Sequence, residues 1–342
     1  MNTQYGSEQI AIQVEGLVKR FGEQVAVDHV DLAVPAGSVF GLLGPNGAGK
    51  TTIVRMLSTL LRPDGGTARV AGLDVVKHAQ AVRRAIGLTG QFAAVDEALS
   101  GYENIYMIGR LLDMPRKDAK RRAEELLAVF GLDEDAKKVA KQYSGGMRRR
   151  LDLAASLVGR PHVLFLDEPT TGLDPARRND LWDIVRDLAD GGTTVLLTTQ
   201  YMEEAEALAQ DIAVMDHGHF IARGTADELK VRIAGRSIRL RTVVAADLPA
   251  LREVLLDVLG AADEVAPGTI GGPVSEDAQV ARLLQAIAAR EIAIADISTV
   301  TASLDEVFLT LTEKKGTVSE KTAVPGPTVT TETNDVPVEA TR

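Results

Sequence analysis

Residues 44–52 read Gly44-Pro45-Asn46-Gly47-Ala48-Gly49-Lys50-Thr51-Thr52, and this stretch constrains the architecture more than any other. It matches G-x-x-x-x-G-K-[ST], follows an apolar run at 39–43 that predicts a buried strand, and opens a helix predicted over 50–61. Glycines let backbone N–H groups curl around phosphate oxygens, and the helix N-terminus adds positive potential. We therefore predict a phosphate-binding loop in which Lys50 reaches the β- and γ-phosphates and the Thr51 hydroxyl binds Mg²⁺.

A second apolar run, 163–166, ends in two adjacent carboxylates, Asp167 and Glu168. Consecutive side chains of a strand point to opposite faces, so the two cannot do the same job. One can face Mg²⁺ beside the phosphates, and the other can polarise an attacking water. An acidic turn after a core strand is the plain alternative, and the upstream phosphate loop makes it the weaker one.

A third motif, Ser144-Gly145-Gly146, precedes an amphipathic helix. A helix start of this kind is a second anion site, although taken alone it is more often a plain N-cap. The three arginines at 148–150 in the same helix are typical of a solvated face, and we assign them no catalytic role.

Composition limits the classes of protein that remain. The 342 residues carry 38 Lys+Arg against 48 Asp+Glu, a net charge of −10, which disfavours a nucleic-acid partner. The absence of Cys excludes a disulfide framework and Cys-ligated zinc. No apolar run approaches the roughly 18 residues of a membrane span, and residues 1–10 lack the apolar stretch of a secretory signal.

The order of patterns predicts an α/β fold with a second, smaller unit. Strand-like and helical stretches alternate, which indicates a largely parallel sheet covered by helices, with a strand-rich N-terminal edge and a helical insert at about 92–157. This first domain spans 1–232. A small α/β domain follows at 233–315, with strands at 237–243 and 292–299 and helices at 247–259 and 278–290. The last segment, 316–342, is Thr- and Pro-rich without aromatics, so we expect it to be disordered.

Taken together and in this order, the three motifs resemble those of the ATP-binding subunit of ABC transporters, over residues 10 to about 232. The resemblance implies an ABC-type P-loop NTPase core that hydrolyses ATP with Mg²⁺. It also implies a head-to-tail homodimer, in which Lys50 of one subunit and Ser144 and Gly146 of the other clamp each γ-phosphate of two sandwiched ATP molecules.

The resemblance assigns further roles at matching positions. Phe21 matches the aromatic residue that stacks on adenine, Gln91 the loop glutamine that touches Mg²⁺ and the water, and Asp174 the loop that joins the two subunits. The implied catalytic residues are Lys50, Glu168 and Gln200. The implied Mg²⁺ ligands are Thr51, Gln91 and Asp167. The implied nucleotide-binding residues are Phe21, Gly44, Pro45, Asn46, Gly47, Ala48, Gly49, Lys50, Thr51, Thr52, Gln91, Ser144, Gly145, Gly146 and Asp174.

One position departs from the family pattern. Where the family usually shows Thr-Thr-His after a strand, this chain has Thr198-Thr199-Gln200. A glutamine amide can donate to a γ-phosphate oxygen, but it cannot take up or pass on a proton as imidazole does. With glutamine at this position, we expect the mechanism to depend more on Glu168.

A closer resemblance is to one branch, the daunorubicin/doxorubicin-resistance type of ABC ATPase. It is carried by LLRPDGGTARVAG (60–72), AAVDEALSG (93–101), YSGGMRRRLDLAAS (143–156), TTQYMEEAEAL (198–208) and SLDEVFLTLT (303–312). Ser303 and Glu306 of the last stretch form a capping-box pattern before an apolar stripe, which either closes the core of the C-terminal domain or contacts a partner.

The branch implies a peripheral protein on the cytoplasmic face of the cell membrane, paired with a separately encoded integral membrane permease. Together they would export a hydrophobic compound such as an anthracycline-type antibiotic. Export of a complex lipid or another metabolite, or a soluble regulatory ATPase, remain as alternatives. Other ABC-type classes fit less well, since the DNA-repair type carries Cys-ligated zinc, the chromosome type a long coiled coil, and the translation type two phosphate loops.

Overall fold

The computed structural model describes residues 9–90, 95–231, 236–274 and 276–301. The strands are β1 (Ile10–Phe21), β2 (Gln24–Pro35), β3 (Val39–Leu43), β4 (Gly65–Val70), β5 (Leu73–Asp74), β6 (Ile86–Thr89), β7 (Val163–Asp167), β8 (Thr194–Thr199), β9 (Asp211–Asp216), β10 (His219–Gly224), β11 (Arg236–Thr242), β12 (Asp263–Ala266), β13 (Thr269–Val274) and β14 (Ile294–Thr301). The helices are α1 (Lys50–Leu57), α2 (Ala79–Ala85), α3 (Gly101–Leu111), α4 (Arg116–Val129), α5 (Gly145–Ser156), α6 (Pro175–Asp190), α7 (Met202–Leu208), α8 (Ala226–Leu229), α9 (Leu248–Leu259) and α10 (Asp277–Ala289).

The central sheet has the order β10-β9-β3-β8-β7-β6. Its strands pair in parallel except for the β9–β10 hairpin, which is antiparallel. Every residue of β3 and β7 is buried, as expected for strands covered on both faces. The predicted parallel α/β core is confirmed, and its strand ends bring the loops after β3, β6, β7 and β8 to one edge.

The strand-rich N-terminal edge is a separate antiparallel sheet of order β2-β1-β4-β5. Long strands β1 and β2 form a hairpin, and β1 also pairs with β4. Between this sheet and the central one lies a core that includes Leu17, Val27, Phe40, Ile53 and Phe165, so α1 is packed between the two sheets. The phosphate loop is thereby fixed relative to the end of β1, where Phe21 lies.

The helical insert contains α3, α4 and α5, which pack on one another and on the central sheet through a second core. A capping box between Ser100 and Glu103 starts α3, and Ser144 caps α5. The helix after the phosphate loop is shorter than predicted. It ends at Leu57 rather than near residue 61, because the next turn is broken by Thr59 in the left-handed region, at φ 67°.

The C-terminal unit is a four-stranded antiparallel sheet, β12-β13-β11-β14, with α9 and α10 packed on it around a core of its own. Its two predicted strands and two predicted helices are observed within two residues of the expected limits. The sequence patterns did not indicate β12 and β13. The reason is that β12 is exposed along its length and β13 contains Gly271 and Gly272, so neither shows a clear apolar alternation.

Some predictions fall outside the described residues. These are the domain limits at 232 and 315, Gln91, the capping-box pattern and apolar stripe that begin at Ser303, and the tail 316–342. Among the residues that are described, no helix has both the length and the apolar character needed to span a bilayer.

Candidate nucleotide site

The loop between β3 and α1 has a backbone that only glycine can adopt at its decisive points. Gly49 has φ 112°, and a Cβ atom there would lie 2.4 Å from the Ala26 carbonyl oxygen. A Cβ atom on Gly44 would lie 2.2 Å from the Met215 carbonyl oxygen. Since Gly49 is the N-cap of α1 and provides no side-chain cap, the first N–H groups of the helix are not capped by a side chain. The loop therefore has the form of an anion cradle.

Lys50 is buried at the mouth of this cradle, with a side chain only 4% exposed. Its Nζ donates to the carbonyl oxygens of Gly44, at 2.7 Å, and Pro45, at 2.9 Å, and lies 3.9 Å from Glu168 Oε1. Burial lowers the pKa of the Lys50 ammonium, and the nearby charges of Glu168 and Asp167 oppose that shift. A phosphate group would supply the anionic partner that this cation has only at a distance.

Thr51 and Asp167 meet beside the cradle. The Thr51 hydroxyl donates to Asp167 Oδ1 at 3.0 Å, and the Thr198 hydroxyl donates to the same oxygen at 2.5 Å. A hydroxyl and a buried carboxylate are oxygen ligands of the kind that Mg²⁺ takes, so these residues fit the ion. Within the described parts of the chain, no cluster of three or more His, Asp or Glu could hold a metal alone. Mg²⁺ takes more oxygen ligands than these two side chains offer, and the phosphates of a bound nucleotide would supply further ones.

Glu168 has a strained backbone, with φ 50° in the left-handed region. Its N–H donates to the Thr198 carbonyl oxygen at 3.0 Å, which holds the residue against the end of β8. Its side chain turns toward Lys50, whereas that of Asp167 turns toward Thr51. The two adjacent carboxylates therefore occupy different positions, as predicted, but the reason differs: Glu168 lies past the end of β7, and its left-handed backbone sets its direction.

A cavity of about 390 Å³ adjoins the loop and joins these groups to Phe21. The Phe21 side chain is half exposed at the end of β1, where a flat base could stack on it, and Lys19 Nζ lies 5.6 Å from the ring centroid. The cavity is lined by Phe21, Gln24, Ala26, Asn46, Gly47, Gly49, Lys50, Thr51, Thr52 and Glu168.

The Ser-Gly-Gly start lies elsewhere. Ser144 is exposed, and its hydroxyl accepts the Met147 N–H at 3.3 Å. With Gly146 it lines a different cavity, of about 220 Å³, against Arg177. Asp174 caps α6 by accepting the Arg177 N–H at 3.0 Å, so it has a structural role whatever else it does. Within a single chain, Ser144 and the phosphate loop line different cavities.

Gln200 follows directly after β8 and is half-buried. The preceding residue, Thr199, accepts the Gly44 N–H at 3.3 Å through its carbonyl oxygen, which ties this strand end to the start of the phosphate loop. Gln200 is thus one residue away from a direct contact with the loop. Gln91 lies outside the described residues, although Gly90 before it is described.

The expectation of a solvated face at 148–150 is wrong for Arg149. Its side chain is 17% exposed and donates to the carbonyl oxygens of Gly90, Glu168 and Pro169. The sequence offered one indication, the helical spacing: Arg149 stands three residues after Gly146 and three residues before Asp152. Both of these residues are buried in the structure.

A buried carboxyl group, that of Glu204 on α7, was also missed. Glu204 is 1% exposed, and burial raises its pKa despite the Thr199, Thr170, Trp182 and Arg149 side chains that face it. Neither carboxyl oxygen closes a hydrogen bond of normal geometry. Helical spacing could have indicated it, because Glu204 and the buried Leu208 are four residues apart.

Comparison with known proteins agrees with this geometry. The family described as ABC transporter matches residues 27–171. The daunorubicin/doxorubicin resistance ATP-binding protein DrrA of Streptomyces peucetius is 51% identical over 304 residues, which are 88% of this chain and 92% of that protein. The doxorubicin resistance ATP-binding protein DrrA of Mycobacterium tuberculosis is 45% identical over 313 residues, covering 90% of this chain and 95% of that protein.

A solved structure of the ATP-binding subunit of an ABC transporter superposes with a TM-score of 0.60 at 23% identity, covering 66% of this chain and 93% of that one. The chain therefore belongs to the ATP-binding proteins of ABC transporters, in the group of the drug-resistance ATP-binding proteins. Members of this family hydrolyse ATP to power transport and act with a membrane partner, and the chain is an ATPase of this kind.

Proposed function

We propose that the chain is the ATP-hydrolysing subunit of an exporter that moves a hydrophobic compound, such as an anthracycline-type antibiotic, through a separate integral membrane permease. The observation that carries this proposal is the extent of the similarity. The match to the Streptomyces peucetius protein covers 88% of the chain, more than the phosphate loop and its sheet, and so includes residues of the C-terminal unit.

In the proposed reaction, Glu168 orients a water molecule for in-line attack on the γ-phosphate of ATP. Its carboxylate lies 3.9 Å from Lys50 Nζ, so a water held by Glu168 stands next to the cation that binds the phosphate. Thr51, Asp167 and Gln91 would hold Mg²⁺, which neutralises charge on the β- and γ-phosphates. Gln200 would donate its amide to a γ-phosphate oxygen without titrating.

We propose further that two copies of the chain bind head to tail and sandwich two ATP molecules. The exposure of Ser144 and its separation from the phosphate loop support this arrangement, because the helix start is open to an anion held by a second chain. ATP then joins the two subunits, and its hydrolysis loosens them.

The same proposal locates the protein on the cytoplasmic face of the cell membrane, held there by its partner. The domain limits that go with it are an ATPase domain at 1–232, with its helical subdomain at about 92–157, a C-terminal α/β domain at 233–315 and a tail at 316–342.

The test uses a Glu168→Gln chain, saturated with ATP, as bait in detergent-solubilised membranes of the native host. We expect one multi-span membrane protein at an amount comparable to that of the bait, identified by mass spectrometry. A Lys50→Met bait is the matched control, since it should not close on ATP and should recover less of the partner. Recovery of soluble proteins alone, with the bait absent from membranes, would overturn the export proposal and favour a regulatory ATPase.

The recovered permease also separates the possible cargoes. Transport of anthracycline, complex lipid and other metabolites would be compared in vesicles that contain the permease and the wild-type chain. ATP-dependent movement of a lipid or metabolite without anthracycline movement would contradict the antibiotic assignment and leave the exporter assignment in place.

A further inference from the structure

Arg149 of α5 connects two loops of the nucleotide site. Its Nε donates to the Pro169 carbonyl oxygen at 2.7 Å, its Nη1 to that of Gly90 at 3.1 Å, and its Nη2 to that of Glu168 at 3.3 Å. Gly90 follows β6, and Glu168 and Pro169 follow β7. Because β6 and β7 are neighbours in the sheet, one guanidinium group holds together the two chain segments that leave the ends of these strands.

This guanidinium is buried among charges of opposite sign. Asp152 Oδ2, one turn along the same helix, lies 3.5 Å from Nη1, and the carboxyl groups of Glu204 and Asp167 also act on it. Burial lowers the pKa of Arg149, and these carboxylates oppose the shift. A cation at this depth is kept in place by directional bonds and not by packing alone, so its position is well defined.

The bond to Glu168 is the important one, because the backbone of Glu168 is strained. A non-glycine residue at φ 50° persists only where its surroundings hold it. The Thr198 carbonyl oxygen accepts the Glu168 N–H from one side, and Arg149 donates to the Glu168 carbonyl from the other. The direction of the Glu168 side chain toward Lys50 depends on both contacts.

Arg149 also belongs to the helix that begins at Ser144, within its second turn. A displacement of α5 would therefore move the three carbonyl groups that Arg149 holds. We infer that Arg149 is a positioning residue for hydrolysis, which sets the orientation of Glu168 and links it to the Ser-Gly-Gly start. This inference rests on the proposed role of Glu168 as the residue that orients water.

The experiment compares ATP affinity and turnover in Arg149→Ala with those in the wild-type chain. We expect kcat to fall about 100-fold, since a small misplacement of a catalytic group has an effect of this size. The affinity for ATP should stay within about twofold, because Lys50 and the phosphate loop are untouched. A fall in affinity that accounts for the whole loss, with kcat unchanged, would overturn the inference.

Arg122→Ala is the matched control. Arg122 on α4 has a side chain 19% exposed, close to the 17% of Arg149, and its Nη2 donates to the Leu157 carbonyl oxygen at 2.7 Å, at the other end of α5. Its loss should lower thermal stability by a similar amount and leave kcat within about twofold of wild type. An equal loss of kcat in both variants would mean that α5 packing alone explains the effect.

Chemical rescue adds a result that a purely structural role would not produce. Methylguanidinium at millimolar concentration, far below denaturing levels, should raise the turnover of Arg149→Ala by binding the vacated carbonyl groups, and should not raise that of Arg122→Ala. If Arg149→Ala does not fold, Arg149→Lys carries the test, since a single ammonium cannot reach all three carbonyls and kcat should still fall. Wild-type turnover in folded Arg149→Lys would overturn the inference.

Glu168→Gln is measured in parallel. If it retains wild-type turnover, the proposed role of Glu168 fails, and the inference fails with it. If it is slow while Arg149→Ala is normal, the proposed role of Glu168 stands and only the inference about Arg149 is refuted.

Discussion

Two helix starts in this chain offer backbone N–H groups to an anion, yet they are built differently. At α1 the cap is Gly49, with no side-chain bond to the helix, and Lys50 is buried beside it. At α5 the cap is Ser144, which is exposed and uses its hydroxyl to bind the helix N–H of Met147. The first start has a buried lysine and two carboxylates beside it, whereas the second has an exposed cap and a cavity bordered by arginines. Both starts carry charge, and they differ in how far the cap residue and its nearest cation are buried.

The two helices also differ in what they bury. α1 buries an apolar face, with Ile53, Val54, Met56 and Leu57 in the core between the sheets. α5 buries Asp152 among its apolar residues and carries Arg149, whose bonds run to backbone carbonyls. Apolar packing is not directional, but these hydrogen bonds are, so we expect the position of α5 to be more closely coupled to the site than that of α1.

The variants with the largest expected effects test whether the two helix starts form one site across two chains. Lys50→Met should weaken ATP binding about 100-fold by removing charged hydrogen bonds to the phosphates. Gly146→Ala should leave ATP affinity within about twofold and lower turnover at least tenfold, because the added methyl group would lie 2.8 Å from Arg177 Cδ and displace a side chain that borders the cavity proposed for the partner's γ-phosphate. Nucleotide titration measures the ATP affinity, and phosphate release measures the turnover.

Mixing the two impaired variants then tests whether the site is shared between two chains. In a head-to-tail heterodimer, one site carries both changes and the other carries neither, so the mixture should regain up to about a quarter of wild-type turnover. Activity that stays at the sum of the separate variants would contradict the sandwich. Gly159→Ala mixed with Lys50→Met is the control: a Cβ there would be 3.2 Å from Leu112 Cδ1, the end of a flexible side chain.

A smaller effect is expected at Gln200, beside the first start. Because glutamine does not titrate, the wild-type turnover should show no inflection from this position. Gln200→His should add an inflection near pH 6.5 to the pH profile of turnover and change the rate a few-fold, measured as kcat across pH 5.5–8.5. Gln142→His, at an exposed position, should leave the profile as it was. An unchanged rate and profile in Gln200→His would mean that the position does not matter.

The smallest expected effect is on thermal stability. It tests the buried carboxyl group of Glu204 on α7, which faces Arg149 of α5. Burial raises the pKa of Glu204 above its ordinary value of 4.5, so the stability tied to its protonated form is present below that value and is lost as pH rises through the folded-state pKa. The Tm of Glu204→Gln should therefore rise relative to that of wild type, by about 2–4 °C, as the pH rises from 4.5 to 8.

The comparison for this variant is Glu203→Gln, whose side chain is 80% exposed and should show no such pH-dependent gain. A constant difference in Tm between Glu204→Gln and wild type at every pH would contradict a buried, titrating carboxyl group at Glu204.

Much of the site could be predicted from local patterns. The phosphate loop, the carboxylate pair and the Ser-Gly-Gly start are each short and depend on residue type and spacing, so they are readable without a fold. Gly49 and Gly44 illustrate why, since their role depends on having no side chain at all. Strand alternation predicted separate positions for Asp167 and Glu168, but Glu168 lies past the end of β7 with φ 50°, so its contacts with Thr198 and Arg149 set its direction.

Arg149 and Glu204 could not be assigned in this way. A row of three arginines is ordinary on a helix surface, and two adjacent glutamates are ordinary at a helix start. Their burial comes from the packing of α5 on β6 and of α7 on β3, which are pairs of elements far apart in the chain. Spacing could have marked them as candidates, but not shown which groups they contact.

The sequence by itself therefore determined the class of fold, the phosphate loop and the presence of two adjacent carboxylates at a strand end, because these depend on neighbours within a few residues. Only the tertiary structure decided that Thr198 and Thr51 share Asp167, that Arg149 holds the carbonyl of Glu168, and that Ser144 faces solvent away from the phosphate loop. The physical reason is that strand order and helix docking bring together residues whose separation along the chain says nothing about their distance in space.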